Sequence, residues 1–122
     1  MARARTIKPS FWTSEQVMLL PVMARLLFIG MWNFADDNGV YPVSLIQLKA
    51  QIFPSDSFSL DDIKSWVSSL IEQKLIKEYS ISDVKFWIIT GWKKHQKIDK
   101  PTPYYPLPPD DNSQIVTTYP DA

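Results

Sequence analysis

The stretch Pro21-Val-Met-Ala-Arg-Leu-Leu-Phe-Ile-Gly-Met-Trp-Asn-Phe-Ala-Asp-Asp-Asn-Gly-Val-Tyr41 decides how the rest of the chain is read. Pro21 suits the first position of a helix, where its missing N–H costs nothing. Asn38-Gly39 suits a left-handed C-terminal cap, so the helix is expected to stop there. Between these points Met23, Leu26, Leu27, Gly30, Met31 and Phe34 recur at three- and four-residue spacing. Phe28, Ile29 and Trp32 widen that stripe until little polar surface is left, the pattern of a central helix packed on several sides. Gly30 costs about 1 kcal/mol relative to Ala inside a helix. Close approach of another element is the expected compensation.

Working outward, Thr13-Ser14-Glu15-Gln16 reads as a capping box that opens a short helix through about Leu19, stopped by Pro21. Phe11 and Trp12 precede it as a hydrophobic staple. Val40-Tyr41 is a very short strand, because Pro42 removes the next donor. Ser44 and Gln47 form a second box; its helix carries Leu45, Leu48 and Ile52 on one face and ends at Phe53, before Pro54. Ser59 to Asp62 is a third cap, with acids in the first turn where the helix dipole favours them. That helix turns Leu60, Ile63, Val67, Leu70 and Ile71 inward, and Asp61, Lys64, Ser65, Ser68 and Glu72 outward. The period then shifts from 3.6 to 2. Residues 75–81 and 84–90 are β-rich runs joined at Ser82-Asp83, a hairpin whose turn lacks the usual Gly. From Pro101 the chain holds six of its ten prolines and no periodicity, so an extended, largely disordered tail is expected.

Composition bounds what such a chain does. Its 122 residues, 45% hydrophobic and with five Trp, suffice for one domain with a real core. No apolar run approaches the roughly 18 residues that span a bilayer, and no apolar segment follows Met-Ala-Arg-Ala-Arg to make a secretory signal. The chain has no Cys, hence no disulfides and no thiolate metal site. A cytoplasmic protein without membrane association is expected. Net charge is zero but unevenly spread. Arg3, Arg5 and Lys8 make the first eight residues basic, and Lys93, Lys94, Lys97 and Lys100 outweigh Asp99 in residues 93–100. The region between is mildly acidic. Basic segments flanking a core are a recurrent way to hold phosphate backbones.

The order helix, helix, short strand, helix, helix, hairpin predicts an α+β, mainly helical fold. It is the winged helix-turn-helix arrangement, with three main helices, a short N-terminal helix, the hairpin as wing, and Val40-Tyr41 as a third strand. The expected organisation is a basic N-terminal arm (1–12), the winged-helix domain (13–92), a basic segment (93–100) and a Pro-rich tail (101–122).

Four segments carry a resemblance: Ala4-Arg5-Thr6-Ile7-Lys8-Pro9-Ser10-Phe11; Ala24 to Trp32 followed by Ala35-Asp36; Lys49-Ala50-Gln51-Ile52-Phe53-Pro54; and Trp92-Lys93-Lys94-His95-Gln96-Lys97. In order and spacing the chain resembles the N-terminal winged-helix domain of phage and prophage replication proteins of the replisome-organiser, or origin-binding, type. The resemblance covers roughly residues 3 to 101. It implies double-stranded DNA binding at a replication origin, ahead of helicase loading, with the replicative helicase or its loader as a partner of that family. In the family a longer C-terminal part usually follows and makes the helicase contact; in this sequence a Pro-rich tail follows, so helicase loading is not carried over, and a fragment of a longer protein, a shortened homologue and an adaptor all fit.

The DNA contacts expected are Arg3 and Arg5 as a minor-groove arm, with Lys8, Lys93, Lys94, Lys97, Lys100 and the wing residue Lys85 on phosphates. Lys64, Ser65 and Ser68 on the third main helix are the expected polar contacts there, and His95 a phosphate or base contact. That helix also carries Asp61 and Asp62, which repel phosphates. No catalytic residue, metal ligand or cofactor is expected, and the chain reads as no enzyme. Asp36-Asp37-Asn38-Gly39 lacks the ligand spacing of a calcium loop; it reads as a helix end whose carboxylates satisfy backbone or a basic partner. Two other classes compete: a protein-interaction adaptor, for which Tyr104-Tyr105-Pro106-Leu107-Pro108-Pro109 could dock as a polyproline ligand or fold back over the domain or a second copy in a homodimer, and a transcriptional regulator using the same DNA surface.

Overall fold

The computed structural model describes residues 2–109. Among them the chain forms α1 (Glu15–Met18), α2 (Val22–Phe34), β1 (Val40–Pro42), α3 (Leu45–Ile52), α4 (Leu60–Glu72), β2 (Ile76–Ile81), β3 (Val84–Ile89) and α5 (Trp92–His95). This is an α+β fold of five helices and one antiparallel three-stranded sheet in the order β1-β3-β2. Val40 stands opposite Ile88, and Ile76 opposite Ile89.

The core forms where α2 crosses α3 and α4 over the sheet. Ala24, Leu27 and Met31 of α2 are fully buried with Leu48 of α3, Ile63 and Leu70 of α4, and Tyr41 of β1. Leu26 departs from its expected inward place: it is 48% exposed, as α2 turns that face away from its neighbours. Leu60, in the first turn of α4, is also exposed. Gly30 does mark a close approach. A Cβ there would stand 2.8 Å from Ile52 Cγ2, so α3 packs against bare backbone.

The ends of the elements follow from their local chemistry. Ser59 and Asp62 make the reciprocal capping box, each accepting the other's backbone N–H at 3.0 Å. Ser44 Oγ accepts from Gln47 N–H at 3.1 Å. Thr13 does not cap α1. Ser14 is the N-cap, its side chain makes no cap bond, and Gln16 instead donates to Gln73 O across the molecule. Nor does α2 run to Asn38-Gly39. It ends at Phe34 because Ala35 turns extended and Asp36 takes over the following amides with its carboxylate. Gly39 still needs its positive φ of 79°, now in the turn into β1. Ser82 and Asp83 both adopt positive φ, the backbone of a type I′ turn, without glycine. α4 closes in a Schellman motif, with Leu75 N–H on Leu70 O and Lys74 N–H on Ile71 O. Lys74 occupies the left-handed position there, at φ 61°.

The described part of the tail departs from the expected disorder and takes the fold-back over the domain that its aromatics left open. Residues 101–109 are not loose but lie against the sheet and the α2–β1 turn. Of residues 101–106 only Thr102, Tyr104 and Tyr105 possess an amide N–H, and all three are accepted by Asp36 or Asp37. Tyr105 packs on Phe86, and Tyr79 O–H donates to Pro106 O at 2.6 Å. With the three amides of residues 101–106 accepted and an aromatic anchor seated, this Pro-rich stretch has little left to gain from solvent. The part of the expected tail from residue 110 onward lies outside the described residues.

Candidate nucleic-acid interface

The two acids that end α2 tie both flanking segments to the core. Asp36 is fully buried, and its carboxylate accepts four backbone N–H groups: Asn38 (2.9 Å) and Val40 (3.0 Å) on Oδ1, Tyr104 (3.1 Å) and Tyr105 (2.9 Å) on Oδ2. Asp37 Oδ1 accepts Arg5 Nη1 at 3.3 Å; its Oδ2 meets Arg3 Nη1 at 3.3 Å and Thr102 N–H at 2.9 Å. The Thr102 N–H, followed by the Arg5 and Arg3 charges, holds the Asp37 carboxyl below its ordinary value against the opposing effect of burial.

Arg5 is the site residue whose expected role changes most. Its side chain is 4% exposed. The guanidinium donates to Trp32 O (3.0 Å), Ala35 O (3.0 Å) and Asp36 O (3.3 Å), besides its pairing with Asp37, and lies 4.9 Å over the Trp92 ring. It caps the end of α2 and is not available to a DNA groove. Burial of an arginine requires this many partners, because an uncompensated guanidinium inside a fold is costly. Arg3 stays half exposed beside Asp37.

The other basic residues of the two flanking segments converge. Lys8 Nζ donates to Lys94 O at 2.7 Å. Two residues away in sequence on either side, Thr6 and Gln96 exchange a pair of bonds: Thr6 N–H to Gln96 Oε1 (3.0 Å) and Gln96 Nε2 to Thr6 O (2.7 Å). The arm and the segment after the hairpin therefore run side by side. Lys93, Lys94 and His95 are exposed on α5, a short helix at the start of the expected basic segment; Lys97 and Lys100 are exposed just beyond it. Trp92, which opens α5, is buried, with its indole N–H on Asp37 O at 2.8 Å. Lys64, Ser65 and Ser68 are exposed on α4, along with Asp61, Asp62 and Glu72, and Lys85 is exposed on β3. Sequence reasoning missed Thr6, Gln96 and the tail amides altogether. The one available signal was a polar glutamine between α5 and Lys97.

Among the described residues no group of three or more His, Cys, Asp or Glu side chains is placed to hold a metal ion, and no helix is long and apolar enough to cross a membrane. No family model matches the chain, and neither a curated protein nor a solved structure matches it.

Proposed function

We propose that this chain is a winged-helix protein that binds double-stranded DNA, without cofactor or catalysis, and serves initiation of phage or prophage replication at an origin in the bacterial cytoplasm. The observation that carries the DNA reading is the joining of the two basic segments. Residues separated by most of the chain meet at the Lys8–Lys94 and Thr6–Gln96 contacts, and they gather Lys8, Lys93, Lys94, His95 and Lys97 on neighbouring backbone. Clustered, exposed cations of one sign are the electrostatic footprint of a phosphate-binding surface. The element order and the hairpin with its added strand support the winged-helix reading. Replication rests on the resemblance of the four quoted segments.

The test is a fluorescence-anisotropy titration with random-sequence duplex across a salt series. Five phosphates neutralised give a log–log slope of about −4.5. Changing Lys8, Lys93, Lys94 and Lys97 together to Ala should flatten that slope to about −1. A slope unchanged in the quadruple variant, or no binding at low salt, overturns the reading. Arg5 is left out of the variant because its loss would damage the fold.

A second reading, a protein-interaction adaptor within a replication complex, is favoured by α4. Its exposed side presents Asp61, Asp62 and Glu72 against Lys64 as its one base. A helix so charged suits a basic protein partner better than a major groove. Absence of DNA binding together with retention on a basic partner through α4 would select it.

A further inference from the structure

The first two helices bury one side and leave the other bare. Val17, Leu20, Ala24, Leu27 and Phe28, from α1, α2 and the turn between them, lie in the core at 4% exposure or less. Met18, Leu19, Val22 and Leu26 lie outside that core and stand 63%, 66%, 64% and 48% exposed. Single apolar residues at a surface are ordinary, but four within nine positions, on the side turned away from the core, make a patch. Leu26 also borders a groove of about 440 Å³ lined by Met23, Ile29, Gly30 and Phe58, so the apolar surface continues past the ridge of α2.

The same face carries one charge of each sign. Glu15 precedes Met18 and Leu19 by three and four positions, which places it on their side of α1. Arg25 follows Val22 by three positions and adjoins Leu26, which places it on their side of α2. Glu15 is exposed and Arg25 partly exposed. Neither makes an ion pair or a side-chain hydrogen bond among the described residues. An acid thus opens the face, a base stands near its far end, and apolar side chains lie between. Read in reverse, this pattern is its own complement. A two-fold axis near Leu19 and Val22 sets the apolar side chains of two copies against each other and brings each Glu15 toward the other copy's Arg25. A partner of one charge would answer one of these groups and leave the other unmet. A second copy answers both.

We propose that this face joins two copies of the chain in an isologous dimer, with Met18, Leu19, Val22 and Leu26 at its centre and two reciprocal Glu15–Arg25 pairs at its edges. Four exposed side chains and one groove border make a small interface, of the transient and not the obligate kind. None of Lys8, Lys93, Lys94 and Lys97 belongs to the face, so the inference stands apart from the DNA reading.

The test is sedimentation equilibrium of the full chain from about 1 μM to about 1 mM, the span in which weak dimers form. A concentration-dependent dimer is expected, and in 15N NMR the amide signals of residues 15–26 of the unaltered chain should move as it forms. Leu19→Ser should weaken the dimer at least about tenfold, through lost apolar burial. Glu15→Arg and Arg25→Glu each create two like-charge contacts, and each should weaken it about tenfold. Mixed in equal amounts, those two variants should associate within about threefold of the parent, because every charge then meets its opposite. The double variant should self-associate equally well. A chain that stays monomeric to about 1 mM overturns the proposal. So does a dimer that Leu19→Ser leaves unaffected, or a loss in the single variants that neither the mixture nor the double variant restores. The amide shifts are read on the unaltered chain, so they decide the matter even where a variant melts early.

Discussion

Replacing Asp36 by Asn tests the central organising claim with almost no change of shape. The carboxylate accepts two amides of the turn on one oxygen and two amides of the tail on the other. A carboxamide keeps one acceptor and turns an NH2 toward two N–H donors. Either the turn pair or the tail pair must be released. The turn pair is the more tightly bound by its surroundings, since Asp36 N–H and Val40 O, and Gly39 N–H and Asp36 O, also close it. The carboxamide oxygen should therefore stay with Asn38 and Val40, and the tail should lose its hold. A hydrogen bond to a charged group contributes about 1.5–3 kcal/mol, so two of them put the loss at about 3–6 kcal/mol. Part of this is recovered when the freed Tyr104 and Tyr105 amides reach water, leaving about 2–4 kcal/mol in urea denaturation. Native-state hydrogen exchange should show where the loss falls, with protection at Tyr104 and Tyr105 dropping to that of a solvent-exposed amide while the core of α2 and α4 stays protected and changes only by the global amount. A variant within about 0.5 kcal/mol of the parent, with both tyrosine amides still protected, would refute the reasoning.

Arg5→Lys should destabilise the fold by about 3–5 kcal/mol despite keeping the charge, since an ammonium cannot reach Asp37 and three carbonyls at once; thermal melts compared with Arg3→Lys, expected within about 1 kcal/mol of the parent, check it. Gly30→Ala gains about 1 kcal/mol of helix propensity but overpacks against Ile52 by about 1–3 kcal/mol. It should be neutral to destabilising alone and stabilising in an Ile52→Ala background, and a double-mutant cycle without that change of sign would contradict the packing. The lowered Asp37 carboxyl means that the unfolded chain binds more protons than the folded one just below the ordinary aspartate value. Its stabilisation is thus complete above about pH 4 and lost as pH falls through the folded value. Acid-denaturation curves should be shallower in Asp37→Asn. Burial pushes the Tyr41 and Tyr79 phenols well above their usual range, so their contribution is full below about pH 10 and lost as pH rises beyond it. Their ultraviolet ionisation signal should appear together with alkaline unfolding and not before it.

What could be read from the sequence was what local chemistry decides. The Ser59–Asp62 box, the Ser44 cap, the hairpin at Ser82-Asp83, the short strand before Pro42 and the close approach at Gly30 each have their cause within a few residues of themselves. Asp36-Asp37 was legible as a pair of acids needing backbone or a base. Which base and which backbone was not, because Arg5 and Tyr105 lie far away in sequence and carry no mark of their destination. Arginine near a terminus reads as a solvated charge until a buried acid is known to face it. Prolines read as disorder until the few remaining amides are seen to have acceptors. Lys74 shows the same limit at short range: a Schellman turn usually announces itself with glycine, and here Thr90, donating to Lys74 O and Leu75 O, helps hold a lysine in that conformation. Thr13 and Asn38 misled in the opposite way, offering good capping chemistry at positions the tertiary packing did not use.

The acid pair at the end of α2 also closes long loops of the fold described above. The hairpin and the α3–α4 pairing close over short loops and need little chain entropy to form. The contacts of Asp36 and Asp37 with Arg5 and with Tyr105 close loops several times longer, at a cost that grows with the logarithm of their length. On loop length alone they are expected to form late, and native-state hydrogen exchange should show the Thr102, Tyr104 and Tyr105 amides opening before those of the α2–α4 core. Because neighbouring carboxylates hold both ends of the described chain, the arm and the tail share one late step. Two segments far apart in sequence, the arm and the described part of the tail, are thus fastened to the fold by one neighbouring pair of carboxylates.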